Sequence, residues 1–120
     1  MLKENYDLEN ALREYVALLE KEAYFDAHEV LEKAWYPLRK ADHPLKNLAK
    51  GLINGAIAFE HLKRDRENAA LKARKVMRSF DRYKGLAASD IEHVHLFQNA
   101  CQMIEILKSR QSEVFDVLVP

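Results

Sequence analysis

The sequence predicts an all-α protein, a single domain over residues 1–120 built as a bundle of about five helices with a central apolar helix. Apolar residues recur at helical spacing along most of the chain, and strand-like alternation is absent outside the final "EVFDVLVP". Only three glycines and three prolines interrupt 120 residues, too few for a linker or a turn-rich β fold. With 48% of residues hydrophobic and 32% charged, the composition excludes a disordered tail and suffices for a core at this length.

Leu8, Leu12, Tyr15 and Leu19, widened by Ala11 and Val16, mark a first amphipathic helix from Asp7 to near Glu22. Tyr24, Ala27, Leu31, Ala34, Trp35 and Leu38 mark a second, Tyr24 to near Lys40. Pro37 should kink it or end it near Tyr36, because proline has no amide donor and crowds the preceding turn. Asp42-His43-Pro44 supplies a cap and a first-turn proline for a third helix, Leu45 to near Lys63, apolar on most of its circumference and therefore central. Gly51 and Gly55 on it each lower helix propensity by about 1 kcal/mol relative to alanine, which points to another backbone passing close by. A fourth helix runs from Glu67 to Tyr83, burying Leu71, Val76, Met77 and Phe80 and stopping at Gly85. Ser89-Asp90-Ile91-Glu92 has the capping-box pattern and opens a fifth, through Val94, Phe97, Cys101, Ile104 and Leu107 to near Arg110. The apolar tail packs on the bundle, forms a brief extended piece or meets a partner.

Formal net charge is zero, so no nucleic acid partner is expected. Lys63, Arg64, Arg66, Lys72, Arg74, Lys75, Arg78, Arg82 and Lys84 outweigh Asp65, Glu67 and Asp81 locally, a solvated helix face answering the acidic first third of the chain. Cys101 is the single cysteine and lies in an apolar run, which suits a buried thiol in a reducing compartment. No membrane association is expected: no stretch has the length of a membrane span, and "MLKENYDLEN" has no signal-peptide core. The expected location is cytoplasmic.

The chemistry-bearing residues concentrate on the second and third helices. His28 falls at the edge of the apolar arc of "YFDAHEVLEKAWYPLR", one turn before Glu32 and on the side of Trp35, whereas Glu29 points away from the core. In "GLINGAIAFEH", Asn54 and His61 share the narrow polar strip of the central helix with Asn47 and Lys50. If the two strips meet, imidazoles, a carboxylate and an amide converge beside Trp35. One reading is a docking network in which Glu32 fixes a histidine tautomer and Asn54 satisfies what remains. The other is a site: His28, Glu32 and His61 as ligands of a divalent metal such as zinc, or an acid-base pair, with Asn54 and Trp35 lining it. "HEVLE" lacks the second histidine of the zinc-protease HExxH signature, so that class is excluded. His43, His93 and His95 read as surface or capping residues, and no nucleophilic triad or phosphate loop can be drawn.

The segments "YFDAHEVLEKAW", "GLINGAIAFEHLKR" and "ENAALKARKV" resemble the domain of unknown function 309 family over roughly Glu20 to Leu86. The resemblance implies a small all-helical fold and marks Phe25, His28, Glu29, Leu31, Glu32, Trp35, Gly51, Leu52, Ile53, Ala56, His61 and Asn68 as motif positions. Asn54 stands where the family has glutamine. Arg66-Glu67-Asn68 replaces its glycine-asparagine turn, which leaves a tight turn there without its glycine. No activity comes with the resemblance.

Two functions are therefore open. The first is a binding or interaction module taking a small molecule or a protein, with a homodimer through an apolar face or the tail as one form. The second is a metal-assisted hydrolase in which His28, Glu32 and His61 hold the ion and Glu29 or Glu32 moves the proton.

Overall fold

A computed structural model describes residues 2–88 and 90–116, with side chains from residue 7 onward. The long helices are α1 (Leu2–Glu20), α2 (Tyr24–Lys40), α3 (Lys46–Arg64), α4 (Ala69–Tyr83) and α5 (Val94–Ser109), followed by a single turn, α6 (Ser112–Phe115). No strand occurs among the described residues. α3 lies between α2 and α4, while α1 packs on α2 and α5. The expected central helix is central: Leu48, Leu52, Ile53, Ala56 and Phe59 are all buried. One continuous core runs from Leu8 on α1 to Val114 on α6, and each large apolar side chain in it contributes about 1.5–3 kcal/mol by leaving water. Tyr15 is fully buried, and its hydroxyl donates to the Leu52 carbonyl at 2.5 Å, so α1 brings a polar atom into the core without leaving it unpaired.

Gly51 explains how closely α4 approaches α3. A β-carbon there would stand 3.1 Å from the Ser79 carbonyl oxygen and 3.2 Å from the Phe80 α-carbon, so the α4 backbone rests on the glycine. Gly55 differs from the expectation, since its neighbour is the Ile104 side chain, at 3.1 Å, and no second backbone.

Helix ends depart most from the sequence reading. α1 starts earlier than Asp7 and stops at Glu20. Glu22 is left-handed, φ 61, and its amide bonds the Leu19 carbonyl while the Ala23 amide bonds that of Leu18, a Schellman stop without glycine. Asp42, φ 53, ends α2 in the same way through Arg39 and Leu38. Pro37 does not end α2: the helix continues to Lys40, because proline removes only its own amide bond and its carbonyl still accepts the Ala41 amide at 3.0 Å. Pro44 precedes α3 instead of sitting in its first turn, and His43 Nδ1 accepts the Leu45 amide at 3.0 Å. α4 begins at Ala69, two residues later than expected. The tight turn does form without a glycine, as Asp65 and Asn68 take left-handed conformations and the Ala69 amide bonds the Arg66 carbonyl.

Gly85 is not the stop of α4. It lies inside a 3-10 turn, Lys84–Leu86, with no positive φ. The capping-box expectation at Ser89-Asp90-Ile91-Glu92 also fails for the described part. Asp90 to His93 form a turn, His93 is left-handed at φ 56, and α5 starts only at Val94; Ser89 itself lies outside the described residues. The tail packs on the bundle as α6, with Val114 buried and the Phe115 ring 5.6 Å from that of Phe59; residues 117–120 lie outside the described residues.

Candidate functional site

α2 turns Tyr24, Ala27, Leu31, Ala34 and Leu38 into the core. That orientation leaves His28, Glu32 and Trp35 half-buried along its flank, spaced one turn apart. On α3 Lys50, Asn54, Ile57 and His61, all half-buried, form a matching strip. The strips meet along the α2/α3 seam. At one end the Lys50 ammonium lies 4.3 Å from the centre of the Trp35 ring, and the Arg39 guanidinium lies 5.6 Å from it. At the other end Phe25, His28, Ile57, Glu60, His61 and Arg64 enclose a groove of about 230 Å³.

His28 is the best-defined group in the seam. Its side chain is 15% exposed, its ring packs edge-on to Phe25 at 4.9 Å, and Nδ1 bonds the Phe25 carbonyl at 2.7 Å. A carbonyl can only accept, so Nδ1 carries a proton, and in the neutral form of the ring the lone pair lies at Nε2. Nε2 lies 3.8 Å from Glu32 Oε1. In the neutral form, two acceptors face each other. Their approach becomes favourable when the ring is protonated or when a donor or cation stands between them. Glu60 is already engaged by Arg64 at 2.5 Å, and that guanidinium lies 5.5 Å from the centre of the Phe25 ring, closing the groove on one side.

The expected constellation is thus brought together in part. His28 and His61 line the same groove, and Glu32 approaches His28. Glu32 and Trp35 also face a shallower depression of about 540 Å³ on the outer side of α2, shared with Glu29, Lys33 and Tyr36. Asn54 is half-buried on the same strip and lines neither depression. Among the described residues no group of three His, Cys, Asp or Glu stands where it could hold a metal ion. Trp35 is a half-buried wall under two cations and not a fully buried core residue. His43 acts as a capping residue, with Nε2 3.9 Å from Glu92, and His95 is exposed. Sequence reasoning missed Ile57, Glu60 and Arg64 as walls. Their signal was present, since Ile57 and Arg64 lie one turn on either side of His61, but an apolar residue and a paired arginine attract no notice in a search for ligands.

No helix among the described residues is long and apolar enough to cross a membrane. No curated protein and no solved structure matches the chain. The model of one family, described as Domain of unknown function (DUF309), matches residues 12–73. That span begins on α1, ends on α4 and contains the whole α2/α3 seam. The chain belongs to the DUF309 family.

Proposed function

We propose that the protein is a binding module whose ligand sits in the groove of the α2/α3 seam, held by His28 and His61 with Glu32 beside His28, and walled by Phe25 and Ile57. The observation that carries this reading is His28, which lines the groove while its Nε2 lies 3.8 Å from Glu32 Oε1 and its Nδ1 is fixed on the Phe25 carbonyl. A ligand that donates a hydrogen bond into this gap would relieve the repulsion of the neutral form and gain a bond to each acceptor. Hydrolysis would in addition need His28, Glu32 and His61 to converge on one ion with Glu29 beside it. Glu29 and Glu32 instead both line the outer depression, and only Glu32 approaches the groove, through His28, so binding is the function this arrangement favours.

The test is a thermal-shift titration of untagged protein with Zn²⁺ and with a library of small polar donors, repeated on His28→Ala and Glu32→Gln. We expect a stabilising ligand for the native chain and loss of its effect in both variants, with binding weakened at least about tenfold. If the cluster only docks α2 on α3, His28→Ala instead lowers stability by about 1–3 kcal/mol and no compound shifts either protein.

A further inference from the structure

A second surface lies on α4, away from the seam. Leu71, Lys75, Arg78 and Arg82 recur at helical spacing and all are exposed, Leu71 by 53%. They form one stripe about 16 Å long at 1.5 Å per residue. Its cations are not neutralised locally. Asp81, the acidic residue of α4, is held by Lys108 at 2.7 Å and Lys84 at 3.7 Å, and Glu105 by Lys84 at 2.6 Å. Among the described residues no carboxylate pairs with Lys75, Arg78 or Arg82, and Arg74 spends its guanidinium on the Val114 carbonyl at 3.4 Å. In a chain of zero net charge, this leaves the field of α4 strongly positive against a remainder that is negative.

The stripe also borders an apolar notch. Leu71, Met77 and Phe115 line a hollow of about 190 Å³ between α4 and α6, rimmed by Arg74, Arg78, Lys108 and Asp81; Lys108 holds the Asp81 carboxylate at 2.7 Å, which leaves the rim net positive through the two arginines. A positive rim around an apolar floor fits a ligand that offers carboxylates and a hydrophobic side chain together. A nucleic acid backbone has the charge and nothing for the notch, and the stripe has no aromatic face on which a base could stack. We propose that the outer face of α4 docks an acidic, amphipathic helical segment of a partner protein, with a leucine-sized side chain in the notch and carboxylates on Lys75, Arg78 and Arg82. This surface is independent of the α2/α3 seam.

The test uses the full chain and a fluorescein-labelled synthetic helix with glutamates on one face and leucines on the other, read by anisotropy. The comparison probes are the same peptide with alanine for leucine, a single-stranded oligonucleotide of equal charge, and vesicles of equal parts phosphatidylglycerol and phosphatidylcholine. The glutamate-leucine peptide should bind best, with Leu71→Ser and the double change Lys75→Glu, Arg78→Glu each weakening it at least about tenfold. These positions are exposed, so circular dichroism should show both variants folded, and a lysine-leucine peptide should recover binding to the charge-reversed one. The proposal is overturned if the alanine peptide binds equally well, if the oligonucleotide or the vesicles bind more tightly, if neither variant alters the affinity, or if the glutamate-leucine peptide does not bind.

Discussion

Cys101 shows how single residues respond to the packing around them. Burial pushes its thiol from the ordinary 9.0 up to about 11, with the Glu105 carboxylate adding to the rise and the Lys84 ammonium opposing it. A folded thiol that holds its proton more tightly than the unfolded one stabilises the fold fully below pH 9.0, and that stability is lost as pH rises from there toward about 11. Tyr15 acts in the same direction from 10.0 upward, its phenol raised by burial and then by Cys101. The urea midpoint should therefore fall across this alkaline window, less steeply in Cys101→Ala, and a disulfide reagent at pH 8 should label the native thiol much more slowly than the unfolded one. Rapid native labelling at pH 8 would mean that the thiol is not shielded. His28 follows the same logic through hydrogen bonding, because a carbonyl at Nδ1 decides which nitrogen its ring presents.

The helices depend on where small residues stand and where they do not. Gly51→Ala should destabilise by about 1 kcal/mol or more, because its new methyl meets the α4 backbone, which cannot rotate away, and this outweighs the gain in helix propensity. Gly55→Ala meets the mobile end of Ile104 and should stay within about 0.5 kcal/mol of the native chain or improve on it. Equal denaturation midpoints for the two variants would contradict the distinction. Glu22→Gly should raise stability by up to about 1 kcal/mol, since glycine takes the left-handed stop of α1 without a β-carbon penalty. A lowered midpoint would show that the Glu22 side chain contributes more than its backbone strain. The centres of these helices were legible because their apolar stripes are dictated by burial. Their ends were not, since Glu22, Asp42, Asp65 and His93 adopt positive φ with no glycine to announce it. The capping-box pattern misled for the same reason: the left-handed His93 interrupts the helical backbone, so α5 can only begin after it.

At the scale of the molecule, the bundle follows from α3, whose apolar circumference requires neighbours on both sides, and residues such as Leu52 and Ala56 made that plain before any coordinates. The site was legible to the extent that one helix could report it. His28 and Glu32 are one turn apart, and their approach follows from that spacing. What required the fold was the meeting of two helices: Ile57, Glu60 and Arg64 acquire a role only when Phe25 and His28 are set against them, and Glu32 proves to line the outer depression of α2 instead of the groove. The basic run from Lys63 to Lys84 was visible as charge, yet its apolar notch depends on Phe115 returning from the far end of the chain.

Ligand binding in the seam, as proposed, requires an unprotonated His28 Nε2 beside Glu32. Nitrogen-proton correlation spectra of the imidazoles in labelled protein, recorded above the titration of its histidines and through a titration with Zn²⁺ and the polar donors, test it most directly. His28 should show the Nδ1-protonated tautomer in the free protein, and its Nε2 resonance should move on binding together with those of His61. A His28 ring protonated at Nε2, or His28 and His61 resonances that stay fixed under every probe, would contradict it.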